Sequence, residues 1–242
     1  MAGMRLMAGV DGREGGRDAL ALAKLLAQTV NATTIEVEAG KFGDGPPAEV
    51  LKEVAEAEQV DAIVLGSSHR GPVGRVLIGS VADELLHGAP CPVVVAPRGY
   101  ASEPHEGLRR IGVAFDGTPE AKAALREAEA LAAPARAEIE VLTVVAPPAA
   151  VPGVAGYVPV DPPDADRILT DGVNSIADEL AARGRRLDGP PGTTLAEACE
   201  DGIDLLVAGS RRYGPAMRVL LGSVSTQLIH RAPCPVLVVP RP

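Results

Sequence analysis

Ala89-Pro90-Cys91-Pro92-Val93-Val94-Val95 returns 143 residues later as Ala232-Pro233-Cys234-Pro235-Val236-Leu237-Val238. At the same spacing Asp61 falls on Asp204, Gly66-Ser67 on Gly209-Ser210, Gly71-Pro72 on Gly214-Pro215 and Arg75-Val76-Leu77 on Arg218-Val219-Leu220. Gly79-Ser80-Val81 falls on Gly222-Ser223-Val224, and His87 on His230. Matches this dense are not accidental, so the chain is one unit written twice. Upstream the repeat continues at a spacing of 105, pairing Asp11-Gly12 with Asp116-Gly117 and Ala19-Leu20 with Ala124-Leu125. The difference between the spacings, 143 − 105 = 38 residues, is the length that copy two carries and copy one lacks. The joint lies near 99–107, a polar stretch containing Pro104, which divides the chain into domains at 1–99 and 108–242.

Composition narrows the chemistry. The 242 residues are 46% hydrophobic but include only three Tyr, two Phe and no Trp, so the core must be built from Val, Leu, Ile and Ala. That mixture suits buried parallel strands flanked by Ala-rich helices. The net charge of −9 argues against a nucleic-acid or anionic-membrane partner. No apolar run approaches the length of a membrane span, and the first ten residues lack the layout of a signal peptide, so the expected location is the cytoplasm. Three cysteines, none in a CxxC pair, read as small buried apolar residues rather than a disulfide framework. The four histidines show no metal-ligand spacing, and no metal site is expected.

Copy two reads as alternating strands and helices. Strands are expected over 110–115, 138–145, 185–187, 204–208 and 235–239. Helices are expected from Thr118 to about residue 133, then over 165–183, 194–200 and 223–230, with Pro119 at the first helical position after Thr118. A Pro/Gly-rich connection at 146–163, bearing Tyr157, links the second strand to its helix. Such alternation predicts a parallel sheet with right-handed crossovers. Copy one reads as strands at 5–10, 33–38 and 63–65 with helices at 16–30 and 48–59; one strand and one helix are missing. The run Asp44-Gly45-Pro46-Pro47 matches Asp188-Gly189-Pro190-Pro191, so the surviving strand 33–38 is read as equivalent to the third strand of copy two. A sheet cannot hold a gap one strand wide. Either 33–38 shifts inward beside the first strand, or another chain fills the gap.

These features together resemble the universal stress protein family in tandem form: a strand ending in Asp-Gly, a later strand ending in Gly-Ser, a glycine-bearing loop leading to Gly-Ser-Val, and a closing Ala-Pro-Cys-Pro-Val. The resemblance covers nearly the whole chain. It implies two Rossmann-like (adenine nucleotide alpha hydrolase-like) α/β units that pair through their last strands as an internal pseudo-dimer, with a further homodimer open. It also implies, for one subgroup, binding of ATP or a related adenine nucleotide, with or without Mg²⁺, through G-x2-G-x9-G-[S/T]. The physical basis is a bare loop that lets backbone N–H groups approach phosphates, together with a helix N-terminus. By the resemblance, Asp116 and Val144 hold the adenosine end in copy two, while Gly209, Arg212, Gly222, Ser223, Val224 and Ser225 hold the phosphates. In copy one the corresponding positions are Asp11, Gly66, His69, Gly79 and Ser80, with no counterpart of Val144. Both copies depart from the pattern at its second glycine, where Arg212 and His69 stand. Copy one further carries Asp83 and Glu84 just after Ser80, a capping-box arrangement that repels phosphate. The better site is therefore expected in copy two.

Asp11 and Asp116 also have an ordinary reading, as residues that close a β–α turn. There is no GxxxxGK[ST] loop, GxSxG elbow or HExxH, and nothing sets a nucleophile beside a base, so catalysis is expected to be absent or limited to slow ATP hydrolysis. The expected functions are a nucleotide-binding stress-response regulator or, alternatively, an interaction scaffold with degenerate sites. The protein partner is left open.

Overall fold

The computed structural model describes residues 4–68, 70, 72–146, 164–210, 228 and 231–240. In the first half, β1 (Arg5–Gly9), β2 (Thr33–Val37), β3 (Ala62–Gly66) and β4 (Val93–Ala96) run parallel. In the second half, β5 (Arg110–Ala114), β6 (Glu138–Val145), β7 (Ala182–Asp188), β8 (Leu205–Gly209) and β9 (Val236–Val239) do the same. All nine form one sheet in the order β2-β1-β3-β4-β9-β8-β5-β6-β7. The halves meet at an antiparallel seam in which Val93 faces Val238, Val94 faces Leu237 and Val95 faces Val236. Those residues belong to the Cys-Pro strands that close the two copies, so pairing through the last strands takes place inside the chain.

Seven described helices cover the sheet: α1 (Glu14–Val30), α2 (Ala39–Phe42), α3 (Pro47–Ala57), α4 (Ser80–Leu86), α5 (Pro119–Ala135), α6 (Ala165–Asn174) and α7 (Pro191–Ala198). Alternation along each strand sends side chains to opposite faces. Leu6 and Ala8 of β1 join Leu22 and Leu26 of α1 on one face, in the same buried cluster as Ile111 and Val113 of β5 and Leu125 and Leu131 of α5. Met7 goes to the other face with Leu51 of α3 and Leu85 of α4. Leu142, Leu195 and Leu206 do likewise in the second half. Each fully buried Leu contributes about 1.5–3 kcal/mol relative to exposure. Because the first cluster runs unbroken across the seam, the two halves share one core.

The joint is folded rather than slack. Asp18, 1% exposed, accepts the backbone N–H groups of Gly99 (2.8 Å) and Ala101 (2.9 Å). Arg98 donates to Glu14 at 2.9 Å, and Tyr100 is buried and stacks on His105 with ring centres 3.6 Å apart.

Three expectations need correction. First, β2 is the counterpart of the second strand, not the third. Arg5 pairs with Thr33 as Arg110 pairs with Glu138, and Gly9 pairs with Val37 as Ala114 pairs with Leu142. The spacing of 105 therefore runs on through β2, which lies beside β1 without any inward shift. What copy one lacks is the counterpart of α6 and β7, and the cut falls after Val37. Second, the helix expected over 165–183 stops at Asn174, and the strand expected over 185–187 spans Ala182–Asp188. β6 is eight residues long and takes seven partners from β7, so the ladder claims residues that a longer helix would have used. The next helix starts earlier than 194, with Pro191 in its first turn. Third, the capping box at Ser80 does not form. Gly79 is the N-cap, Ser80 is already helical, and no side chain caps the turn.

Candidate functional site

In a doubly wound sheet, ligands settle where neighbouring strands send their connections to opposite faces. That happens between β1 and β3 and again between β5 and β8. The antiparallel seam turns one half end for end relative to the other while α1 and α5 stay on the same face, so the two crevices open at opposite ends of the strands.

The first wall of each crevice is the Asp-Gly turn. Asp116 Oδ1 accepts from the Thr118 backbone N–H (3.1 Å) and hydroxyl (2.6 Å). Asp11 Oδ1 accepts from the Arg13 N–H at 3.0 Å. Both turns place their glycine in the left-handed region, Gly12 at φ 72° and Gly117 at φ 78°. Both aspartates thus close their β–α turns.

The second wall is the Gly-Ser strand end. A Cβ on Gly209 would sit 2.5 Å from the Glu120 carbonyl oxygen, and a Cβ on Gly66 would land on the Gly15 carbonyl. The first glycine of the loop pattern is therefore required because the first turn of α1 or α5 rests on the strand end. The serine after it holds the loop. Ser67 donates its hydroxyl to Ala96 O (2.7 Å) and accepts from Leu77 N–H (3.1 Å), while Ser68 N–H donates to Leu77 O (2.7 Å). The loop of the first half is drawn back onto its own sheet. It is also tied across the seam: Arg75 donates to Arg231 O (3.0 Å) and Glu200 (2.6 Å), and Val76 N–H donates to Ala232 O (2.8 Å). Ser67 N–H also donates to Ala96 O (3.1 Å), and Ser210 makes the matching backbone bond, N–H to Val239 O at 2.9 Å. Its hydroxyl, in a residue only 1% exposed, has no partner among the described residues.

The third wall differs between the halves. In the second half β6 extends past the Asp116 turn, and Thr143 donates its hydroxyl to Phe115 O at 3.0 Å. That bond pins the strand end bearing the half-buried Val144 beside Asp116. In the first half the position matching Val144 is Ala39, where the strand has ended and α2 begins. Asp116, Val144 and Gly209 thus lie at one of these ends. Arg212, Gly222, Ser223, Val224 and Ser225 lie outside the described residues, as does the 147–163 connection with Tyr157. Asp11, Gly66, Gly79 and Ser80 lie at the opposite end, and His69 is outside the description.

Ser67, Arg75 and Asp18 were not singled out from sequence. The recurrence of Ser67 as Ser210 and of Arg75 as Arg218 was a usable signal for the first two. Asp18 corresponds to Ala123 and gave none. Cys91 and Cys234 are poor nucleophiles. Burial pushes the Cys91 thiol up to about 12, and the neighbouring Cys199 thiol together with burial pushes Cys234 up as well. Among the described residues no helix is long and apolar enough to cross a membrane.

Comparison with known proteins agrees with the repeat. The sequence profile described as the universal stress protein family matches residues 17–97 and 107–240. A universal stress protein of Mycobacterium tuberculosis (strain ATCC 25618 / H37Rv) is 32% identical over 205 residues, covering 78% of this chain and 68% of the relative. Another from the same strain is 28% identical over 250 residues, covering 95% and 78%. A solved universal stress protein from Archaeoglobus fulgidus DSM 4304 superposes with a TM-score of 0.65 at 20% identity, covering 98% of this chain and 96% of that one, and so shares the fold. With two profile matches spread over most of its length, the chain belongs to the universal stress protein family.

Proposed function

We propose that this chain is a cytoplasmic stress-response regulator that binds an adenine nucleotide, ATP or a relative with or without Mg²⁺, in its second half. The domains on this reading are 1–99 and 108–242. The observation that carries it is the Thr143–Phe115 hydrogen bond, which ties the strand end bearing Val144 to the residue before Asp116 and has no counterpart in the first half, where Glu38 stands in place of Thr143. Asp116 and Val144 take the adenosine end. Gly209, Arg212, Gly222, Ser223, Val224 and Ser225 take the phosphates, where Arg212 supplies a charge-assisted contact in place of a bare glycine. The first half, with Asp11, Gly66, His69, Gly79 and Ser80, is the weaker site. Titration calorimetry with ATP and Mg²⁺ tests the reading: Asp116→Ala should weaken binding by roughly tenfold, the loss of one charged hydrogen bond, and Asp11→Ala should leave it unchanged. Absence of heat and of any thermal shift at millimolar nucleotide would sink it.

A second reading, a scaffold that acts through its surface, is favoured in the first half. There Ser67 and Arg75 fix the loop to the sheet and to the other half instead of leaving its backbone to a ligand.

A further inference from the structure

The loss of the α6 and β7 counterparts leaves β2 as an edge of the sheet. Its ladder with β1 runs from Thr33 N–H to Met4 O at one end and from Val10 N–H to Val37 O at the other. In a parallel pair this means that residues 33, 35 and 37 turn their backbone groups towards β1. The N–H and C=O of Thr34 and Glu36 point outwards. In the second half the matching outward groups are consumed by β7, as in the bond from Ile139 N–H to Ala181 O.

The two free edges of the sheet are dressed differently. The β7 edge carries arginines held in ion pairs, Arg186 with Asp166 (2.9 Å) and Arg185 with Asp201 (2.6 Å), which blunt strand addition. The β2 edge carries a half-buried isoleucine, Ile35, where β6 has Glu140. Five residues past the strand end, α2 brings Phe42, 56% exposed.

We propose that β2 is a self-association edge, on which two copies of this chain join their sheets by antiparallel pairing centred on Ile35. The strand is self-complementary in this register. Thr34 of each copy faces Glu36 of the other, so all four outward N–H and C=O groups of each strand find partners. Ile35 meets its own counterpart at a closely spaced, non-hydrogen-bonded position. Shifting the centre to residue 36 would put the two glutamates opposite each other, which is unfavourable. The joint repeats between chains the antiparallel seam that β4 and β9 make within one.

Sedimentation equilibrium of the full chain, over a range of concentrations, tests this with three substitutions at one residue. The wild type is expected to show a reversible monomer–dimer equilibrium. Thr34→Pro removes an outward N–H while sparing the ladder to β1, and should give monomer with unchanged thermal unfolding. Thr34→Glu sets carboxylates against Glu36 twice across the two-fold and should weaken the dimer. Thr34→Lys makes two opposite-charge pairs and should tighten it, roughly two- to thirty-fold; a substitution that merely damaged the fold would not tighten it. A wild type that stays monomeric throughout overturns the proposal. So does a dimer indifferent to all three changes, which would place the contact elsewhere.

Discussion

β2 and β6 hold the same place in their halves and share no aligned residue. Ile139 and Val141 of β6 lie under α5 and α6; in β2 their places are taken by Thr34 and Glu36, on a face with no second helix among the described residues. Glu140 of β6 is buried and reaches Arg183 (3.0 Å) and Arg185 (3.8 Å) of β7. Its counterpart is Ile35, because without β7 no cation is available to a carboxylate in that position. Removing one helix and one strand has been answered residue by residue in the strand left behind. A deletion in a packed sheet is tolerated when the exposed face turns polar and the orphaned charge is withdrawn.

The sharpest way to break this comparison is to strand Glu140. Replacing Arg183 and Arg185 together by Ala should cost about 3 kcal/mol in urea unfolding, the penalty for leaving the buried Glu140 carboxylate without its half-exposed cationic partners. Adding Glu140→Ile, which copies Ile35, should recover most of the loss; no recovery would mean that the arginines act otherwise. Next come the glycines that both halves share. Gly66→Ala and Gly209→Ala each force a Cβ into the first turn of the adjacent helix and should cost about 1–3 kcal/mol. Equal costs would show that the strand-end packing is alike even though the third walls differ.

The serines should then separate the halves. Ser67→Ala leaves the Leu77 N–H without its acceptor and should cost about 1–3 kcal/mol. Ser210→Ala removes a hydroxyl that has no partner among the described residues and should stay within about 0.5 kcal/mol. The smallest effect is at the seam. Burial, and then Asp61 from the other half, raise the Glu127 carboxyl above the usual carboxylate range. The folded chain therefore holds that proton more tightly than the unfolded one, and the group's contribution to stability is full at acid pH and falls as pH rises through its folded value. Glu127→Gln should raise the melting temperature at neutral pH and flatten the acid-side pH dependence; a lower melting temperature there would contradict this.

The repeat and the alternation could be read from the residues, because buried valines and capping glycines tolerate few substitutes; the pairing of the Cys-Pro strands followed from the family resemblance, and the register of the seam bears it out. The identity of β2 could not. The equivalence of strands 33–37 and 138–142 is written in hydrogen-bond register, and the very loss that shortened copy one rewrote their side chains. The matching Asp-Gly-Pro-Pro turns then drew attention to the wrong strand. At the site, the aspartates and glycines were legible as types. Their first duty, closing turns and admitting a helix, emerges only once α1 and α5 are seen resting on the strand ends. Asp18 was invisible because its partners are backbone groups of the joint.

The antiparallel seam has a consequence in time. β4 is an interior strand of the finished sheet, but its partner β9 is made roughly 140 residues later, on the order of ten seconds at the usual pace of synthesis. Through that interval Val93, Val94 and Val95 present an unmatched, wholly apolar edge. Contacts between such distant segments are also slow to form in a released chain. The nascent first half is thus the stage at which this chain most needs a chaperone, and it ceases to need one when its final valines arrive.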